Sequence, residues 1–281
     1  MGKKTDDFQK KKGYLICVDS DGCAMDTMDI KHNQCFGPCL IEEWGLKKWA
    51  PAILEKWNEQ NLYKMTRGIN RYKGLAMALF EINTRYKKID GVDILTDWVE
   101  HSDELSDLAL ERAIAENDNI CLRKALWWSR KVNARINELP FEEKKPFPGV
   151  KDGLAYAHQY ADIAVVSSAN LQAVEEEWGL YGLLDHVDLV LAQDTGSKAA
   201  CIQALVKKGY GKSKVLMVGD ALGDYEAAKK NNVFYFPVLV RHEQESWIEF
   251  KESAVPRLVN ESYGGEYQEA KIQAFTDNLR L

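Results

Sequence analysis

The stretch Ile16-Cys-Val-Asp-Ser-Asp-Gly22 decides the fold, because in it an apolar run of strand length ends in two acids. The run is Tyr14–Val18, and the acids that follow it are Asp19 and Asp21. An unbroken apolar run of this length is typical of a strand buried on both faces of a parallel sheet. Gly22 allows the chain to turn sharply after the strand. The stretch therefore predicts a buried strand that presents two carboxylates at its end.

Four more apolar runs have the same character, and helical patterns separate them. The runs are residues 163–166, 189–192, 215–218 and 233–240, and the helical patterns are residues 171–180, 198–208, 225–231, 242–253 and 265–281. Strands that alternate with helices predict an α/β fold, here a Rossmann-like, three-layer parallel sheet. Ligands bind beyond the carboxyl ends of such strands, so the polar residues that end these runs are expected to converge at one edge.

Residues 27–146 show helical periodicity instead and contain no strand-like run. Helices are expected at residues 46–60, 74–88, 94–116 and 120–139, and the tryptophans in this stretch are Trp44, Trp49, Trp57, Trp98, Trp127 and Trp128. We interpret the tryptophans as the core of a small helical domain rather than as a stacking platform. Phe147-Pro-Gly149 marks the return to the sheet. The predicted domains are an α/β core of residues 1–26 and 147–281, and an all-helical domain of residues 27–146.

The composition excludes several classes of protein. With 37 basic and 43 acidic side chains, the net charge is −6, which is unlike a nucleic-acid-binding surface. The longest apolar run, residues 233–240, is far shorter than the roughly 20 residues that cross a bilayer, so no membrane span is expected. The apolar Tyr14–Val18 is also shorter than the roughly 7–15 residues of a signal-peptide core. The chain is therefore expected to be soluble.

The cysteines bear on the compartment and on one alternative metal site. Six cysteines without an export signal predict reduced thiols in a cytoplasmic protein. His32, Cys35 and Cys39 have a spacing that could hold a soft metal. Because no fourth ligand accompanies them, we interpret the grouping as accidental.

A second acidic motif, Val218-Gly-Asp-Ala-Leu-Gly-Asp224, follows another apolar run. If strand ends converge, Asp19 and Asp21 meet Asp220 and Asp224 in one small volume. Two carboxylates about 4 Å apart repel by roughly 4 kcal/mol at an effective dielectric constant of 20. Either some of these acids are protonated or a cation lies among them, and oxygen ligands with room for water and phosphate favour Mg²⁺.

Other polar residues are expected at the same edge. Ser167 and Ser168 follow the run at residues 163–166 and offer hydroxyl and backbone donors. Lys198 opens a helical pattern and can neutralise part of the acidic charge. Several other lysines are near it in sequence and stay open as alternatives: Lys207, Lys208, Lys212 and Lys214.

Together these motifs resemble the haloacid dehalogenase superfamily, and within it the aspartate-dependent phosphatases and phosphomutases. The first family motif, Asp-x-Asp-Gly after an apolar strand, matches residues 19–22, with Asp26 following. The second, a strand that ends in Ser or Thr, is matched by Ser167, and the third, a lysine at a helix start, by Lys198. The fourth, Gly-Asp-x-x-x-Asp, is matched by residues 219–224. With the helical insert as a cap between the first and second motifs, the resemblance covers essentially the whole chain.

The resemblance implies roles for the acids. Asp19 would be the nucleophile that forms an aspartyl phosphate, and Asp21 the general acid and base. The metal site would comprise Asp19, Asp21 through its backbone carbonyl, Asp220 and Asp224, and it would hold Mg²⁺. Because Asp21 is present, the sequence resembles the phosphatases and mutases rather than the dehalogenases.

The resemblance also implies how the phosphoryl group is held. Ser167 and Lys198 would bind its oxygens, and Asp224 would orient Lys198 or a metal-bound water. A merely structural ion pair between Asp224 and Lys198 stays open. Asp26 is interpreted as a helix cap rather than as a chemical group.

Four further residues are candidates for binding the substrate. Ser168 and Asn170 lie beyond Ser167, and Asn170 can equally cap the helix that follows. Arg67 and Arg71 are the candidates in the helical insert, where they could bind an anionic substrate or belong to a solvated loop.

The function predicted is a Mg²⁺-dependent hydrolase of a small soluble phosphate ester. A phosphomutase that uses the same aspartyl phosphate is one alternative, and a non-catalytic phospho-ligand binding protein is another. An isolated Asp-x-Asp also occurs in glycosyltransferases, so the prediction depends on all four motifs. The identity of the ester and the oligomeric state stay open.

Overall fold

Seven strands are present among residues 3–280, which the computed structural model of the chain describes. They are β1 Tyr14–Val18, β2 Met25–Asp26, β3 Lys145–Pro146, β4 Ala161–Val166, β5 Leu189–Leu191, β6 Val215–Gly219 and β7 Phe234–Pro237. Five of them form one parallel sheet in the order β5-β4-β1-β6-β7. The α/β fold expected from the sequence is thereby confirmed, with β1 at the centre of the sheet.

Helices account for most of the remaining structure. The α-helices are α1 Lys3–Asp7, α2 Met28–Ile30, α3 Gly37–Glu43, α4 Ala50–Leu62, α5 Arg71–Arg85, α6 Val92–His101, α7 Asp107–Glu116, α8 Ile120–Glu138, α9 Val150–Ala157, α10 Leu171–Leu180, α11 Lys198–Val206, α12 Leu222–Asn231, α13 Glu243–Glu249, α14 Val255–Val259 and α15 Glu266–Arg280. Two π-helical stretches, Lys31–Phe36 and Phe250–Ala254, continue α2 into α3 and α13 into α14.

The chain divides into two compact units. Residues up to Met28 and from Phe141 onward form one, here called the sheet unit, and Asp29–Pro140 form the other, the helical unit. The helical unit contains no strand. The sequence placed its boundaries at residues 26/27 and 146/147, and its assignment of these parts as catalytic core and cap stays a prediction.

Each unit has its own hydrophobic core. In the sheet unit, β4 and β6 are buried along their whole length, as is β1 beyond Tyr14, which fits the continuous apolar runs of the sequence. In the helical unit, Trp57 and Trp128 are buried and pack edge to face. Trp127, by contrast, is about half exposed, with a relative accessibility of 48%.

Two expectations about element boundaries are wrong. The single helix expected at residues 94–116 is two helices, α6 and α7. The break arises because Ser102 is extended and the Ser106 side chain accepts a hydrogen bond from the Ala109 N–H at 3.1 Å, which caps α7. The apolar run at residues 233–240 forms a strand only as far as Pro237, on the edge strand β7, where a proline is tolerated.

No helix within residues 3–280 combines the length and the apolar character that crossing a bilayer requires.

Candidate active site

Asp19 and Asp220 come together because they follow adjacent strands. Val18 of β1 is paired with Val218 of β6, and the Asp19 N–H donates to the Val218 carbonyl at 3.0 Å. With Asp224, these acids form a group in which one carboxylate oxygen from each lies within 4.8 Å of the others. All three side chains are buried. We call residues 19–25 the first acidic loop and residues 219–224 the second.

Two features position Asp224: the first turn of α12, and the glycine at position 219, which has no side chain to block it. Its Oδ2 accepts a hydrogen bond from the Ala221 N–H at 3.1 Å. A Cβ atom added to Gly219 would lie 2.3 Å from the Asp224 Cγ, a distance that no side chain tolerates. The glycine of the second motif is therefore needed so that Asp224 can approach the strand end.

Lys198 is the lysine that joins this group. Its Nζ lies 2.8 Å from the Asp19 Oδ1 and 2.6 Å from the Asp224 Oδ1. Of the alternative lysines, Lys208 donates to the Asp6 carbonyl and Lys214 pairs with Glu261.

Burial dominates the electrostatics of the group. It raises the pKa of Asp19 to about 7, with Lys198 opposing the shift and the charge of Asp224 adding to it. Burial also raises the pKa of Asp224, again against the effect of Lys198 and with a contribution from Asp220. Burial alone would lower the pKa of Lys198, but its two carboxylate neighbours outweigh this and raise it. Three buried acids thus face one partly buried cation, and a divalent ion with oxygen ligands would restore the balance.

Asp21 lies in the first acidic loop but outside the three-carboxylate group. Its Oδ1 accepts a hydrogen bond from the Thr27 hydroxyl at 2.6 Å. The loop turns tightly, because the Ser20 carbonyl accepts backbone N–H groups from residues 23, 24 and 25, and Gly22 adopts a φ of 79°. Asp21 is partly exposed.

Ser167 follows β4, on the other side of β1. Its N–H donates to the Leu191 carbonyl at 2.9 Å, and its Oγ accepts from the Ala169 N–H at 3.1 Å. Ser168 is exposed. Asn170 caps α10, since its side chain accepts hydrogen bonds from the backbone N–H groups of residues 172 and 173.

Arg67 and Arg71 are held inside the helical unit. Arg67 is buried and donates to the Leu62 carbonyl at 2.8 Å, so the alternative of a solvated loop is wrong for it. Arg71 donates to the Ser129 Oγ at 3.0 Å and to the Asn133 Oδ1 at 2.7 Å. Substrate binding by either arginine stays a prediction.

The remaining candidates have other surroundings. Asp26 lies in β2, and Thr27 stands between it and α2, so the helix-cap role of Asp26 stays a prediction. His32 accepts a hydrogen bond from the Trp57 indole at 3.0 Å, while Cys35 and Cys39 are buried. Among the described residues, the acidic group is the only cluster of three or more metal-ligating side chains.

Sequence reasoning missed the residues that support the acids. Thr27, which binds Asp21, and the buried Trp178, Trp247 and Tyr235, which bind the acidic loops, carry no periodic signal. Their partners are fixed by the tertiary fold. Gly219 did carry a signal, because it is a glycine directly before an acid at a strand end.

Comparison with known proteins gives one family match. The sequence profile of the haloacid dehalogenase-like hydrolases matches residues 98–238, about half of the chain. The matched range includes Ser167, Lys198, Asp220 and Asp224 and begins after the first acidic loop. No curated protein sequence gives a significant match.

Two solved structures are similar in outline. A haloacid dehalogenase-like family hydrolase from Streptococcus pneumoniae is 14% identical, with a TM-score of 0.49 over 85% of this chain and 91% of that chain. A haloacid dehalogenase-like family hydrolase from Xanthomonas campestris is 13% identical, with a TM-score of 0.49 over 91% of this chain and 96% of that chain.

Proposed function

The chain belongs to the haloacid dehalogenase-like hydrolases, and on that premise we propose that it is a Mg²⁺-dependent phosphomonoester hydrolase of a small phosphate ester. The observation that carries this proposal is the group of Asp19, Asp220 and Asp224, whose carboxylates meet within 4.8 Å. Lys198 contacts two of the three acids. Such a group combines a nucleophile, metal ligands and a fixed cation in one buried volume.

The donor set fits a hard divalent cation. Asp19, Asp220 and the backbone carbonyl of Asp21 would hold Mg²⁺, with Asp224 beside them, and all of these donors are oxygens. When bound, Mg²⁺ offsets negative charge on the phosphoryl group that is transferred. A bound cation also favours the ionised form of Asp19, the form that can attack phosphorus.

Asp19 and Asp21 carry the covalent chemistry in this proposal. The Asp19 carboxylate attacks phosphorus in line, and the bond from phosphorus to the ester oxygen breaks while Asp21 gives that oxygen a proton. Water then attacks the aspartyl phosphate, and Asp21 takes a proton from it. Inorganic phosphate leaves and both acids return to their starting states. The hydrogen bond from Thr27 fixes the orientation of the Asp21 carboxylate.

Ser167 and Lys198 bind the phosphoryl oxygens in this proposal. Asp224 contacts the Lys198 Nζ at 2.6 Å and so holds the ammonium group at the carboxylate cluster. Ser168 and Asn170, together with Arg67 and Arg71, stay as proposed contacts to the rest of the substrate.

The proposal assigns the sheet unit as catalytic core and the helical unit as its cap. Every residue given a chemical role in the reaction comes from the sheet unit. The six cysteines are buried free thiols, which supports a reducing compartment such as the cytoplasm.

A phosphatase assay on purified protein tests the proposal. We expect hydrolysis of p-nitrophenyl phosphate and of some members of a phosphate-ester panel with Mg²⁺, and none with EDTA. Beryllium fluoride should inhibit only in the presence of Mg²⁺, because it mimics a phosphoryl group on Asp19. Turnover that requires a bisphosphate would favour the mutase instead, and failure on the whole panel would contradict both.

A further inference from the structure

Both tryptophans of the sheet unit donate their indole N–H groups to the first acidic loop. The Trp178 Nε1 donates to the Ser20 Oγ at 2.9 Å, and the Trp247 Nε1 donates to the Cys23 carbonyl at 2.9 Å. Both tryptophans are fully buried. They belong to different helices, α10 and α13, so the shared target does not follow from sequence proximity.

The second acidic loop has an equivalent contact. The Tyr235 hydroxyl, from β7, donates to the Gly219 carbonyl at 3.0 Å. Gly219 directly precedes Asp220, so this hydrogen bond acts on the peptide group that leads into the acid. The same carbonyl accepts the Val238 N–H at 2.8 Å, and together the two donors fix its direction.

A buried indole or phenol needs a hydrogen-bond partner, and any carbonyl in the core could serve. Here three donors from three separate elements all end on the two short loops that carry Asp19, Asp21 and Asp220. The fold also leaves space for the indole ring of Trp247. A Cβ atom added to Gly153 of α9 would lie 2.9 Å from the Trp247 Cε3, so that glycine makes room for the ring.

The first acidic loop extends beyond the end of the central strand. The β1 ladder ends at Val18, and beyond it the Asp19 N–H still bonds to the Val218 carbonyl. Residues 20–25 bond largely to one another, and two further contacts tie the loop to its surroundings: the Cys23 Sγ donates to the Val218 carbonyl at 3.6 Å, and the Phe147 N–H donates to the Ala24 carbonyl at 3.0 Å. The two indole N–H groups add anchors from α10 and α13.

We propose that Trp178, Trp247 and Tyr235 are positioning residues. They fix the positions of the two acidic loops relative to each other, so that Asp19 and Asp21 stay aligned with Asp220. They act through the backbone and through Ser20, and they do not contact the reacting atoms. This inference rests on the proposed function, because the relative position of the loops affects turnover only if their acids take part in one reaction.

Two variants that keep an aromatic ring and remove the donor test this inference: Tyr235→Phe removes only the hydroxyl, whereas Trp178→Phe also makes the buried side chain smaller. In Trp178→Phe and Tyr235→Phe, we expect kcat to fall by about 10-fold with KM unchanged. Slight misplacement of the reacting groups reduces the stabilisation of the transition state more than it reduces the affinity for substrate. Amide hydrogen exchange should become faster in residues 19–25 of the first variant and in residues 219–224 of the second. Exchange is measured without substrate or Mg²⁺, so it does not depend on activity.

Matched controls separate positioning from general stability. Tyr210 is a buried tyrosine of the sheet unit that donates to the Asp162 carboxylate, at the amino end of β4 and so at the opposite end from Ser167. Trp128 is a buried indole of the helical unit that donates to the Phe36 carbonyl at 3.2 Å. Tyr210→Phe and Trp128→Phe should lower the melting temperature but leave kcat and exchange in both acidic loops as in the wild type.

The outcomes are distinct. Unchanged exchange in the loops of both donor variants, or a kcat within about twofold of an active wild type, would overturn the inference. If Trp178→Phe does not fold, Tyr235→Phe decides, since it removes a single oxygen. If the wild type hydrolyses no phosphate ester, the proposed function fails, and the exchange measurement alone decides whether the three donors hold the loops.

Discussion

Asp19 illustrates a conflict between stability and chemistry at a single residue. Burial raises the pKa of Asp19 to about 7, so ionising this carboxyl opposes folding at neutral pH, and Lys198 compensates only in part. Carboxyl groups with raised pKa values cluster at functional sites, and buried ion pairs shift pKa values as well. The unfavourable burial of Asp19 and Asp224 is consistent with the cation proposed at this group, for which the meeting of three carboxylates is the main support.

Replacing Asp19 by asparagine should separate the two effects. Asp19→Asn keeps the shape and removes a charge that burial disfavours, so the melting temperature should not fall. Turnover should fall by at least about 10³-fold, because an amide is not a nucleophile toward phosphorus. Steady-state kinetics and thermal unfolding of the same preparation measure both quantities. Substantial remaining turnover would remove Asp19 as the nucleophile.

Gly219 offers a second prediction at this scale. In Gly219→Ala, the new Cβ would lie 2.3 Å from the Asp224 Cγ, and the Asp224 side chain must shift from the position in which it contacts Lys198. We expect a loss of about 1–3 kcal/mol in unfolding free energy from overpacking, and a fall in kcat of at least about 10-fold.

The matched control for this prediction is the nearby helix glycine, Gly223, where an added Cβ meets nothing within 4 Å. Gly223→Ala should keep wild-type turnover and raise stability by about 0.5–1 kcal/mol, because alanine favours the helix. Denaturant unfolding and kinetics compare the two variants. Equal effects on turnover would show that the contact with Asp224 is not what matters.

At the scale of elements, the strand-end rule accounts for the acids, and tertiary contacts account for what the sequence could not show. Asp19 and Asp220 lie far apart in the chain, yet their convergence follows from the carboxyl ends of neighbouring parallel strands. Strand β1 was predicted with its observed bounds. Strand β4 begins two residues earlier than predicted. The acidic Asp162 interrupts the apolar run there, so the sequence pattern did not indicate a strand before residue 163.

Hydrogen bonds to its carboxylate explain how Asp162 is accommodated in a buried strand, and their contribution to stability can be measured. Its Oδ2 accepts backbone N–H groups from Lys11 and Lys12, both at 2.9 Å, and the Tyr210 hydroxyl. In Asp162→Ala these donors lose their acceptor, so unfolding free energy should fall by about 1–3 kcal/mol or more. Turnover by the folded protein should stay unchanged, because Asp162 lies at the amino end of β4 and Ser167 follows its carboxyl end.

Chemical denaturation at fixed protein concentration measures this loss, with the exposed Asp103→Ala as the control that should cost little. Wild-type stability in Asp162→Ala would mean that water replaces the lost acceptor. A matching loss of kcat would show that the two ends of β4 are coupled.

At the scale of the whole molecule, the insertion is organised so that its ends meet. Strand β2, just before the helical unit, pairs antiparallel with β3, just after it, with Met25 opposite Pro146 and Asp26 opposite Lys145. The sequence showed the change from strands to helices but not this pairing, because two-residue strands carry no periodic signal. The buried cores of the two units also share no residue.

Separate cores and adjacent chain ends imply that the sheet unit folds without the insertion. Residues 29–140 can be replaced by a Gly-Ser linker of about four residues, since β2 and β3 already bring the ends together. We expect cooperative thermal unfolding and a circular dichroism spectrum with less helix. Mg²⁺-dependent hydrolysis of p-nitrophenyl phosphate should persist, because Asp19, Lys198 and Asp220 all belong to the sheet unit.

The same deletion carrying Asp19→Asn is the matched control and should be inactive. A shortened chain that unfolds without cooperativity would show that the sheet unit needs the helical unit to fold, whereas a cooperatively folded but inactive one would show that chemistry requires residues of the insertion.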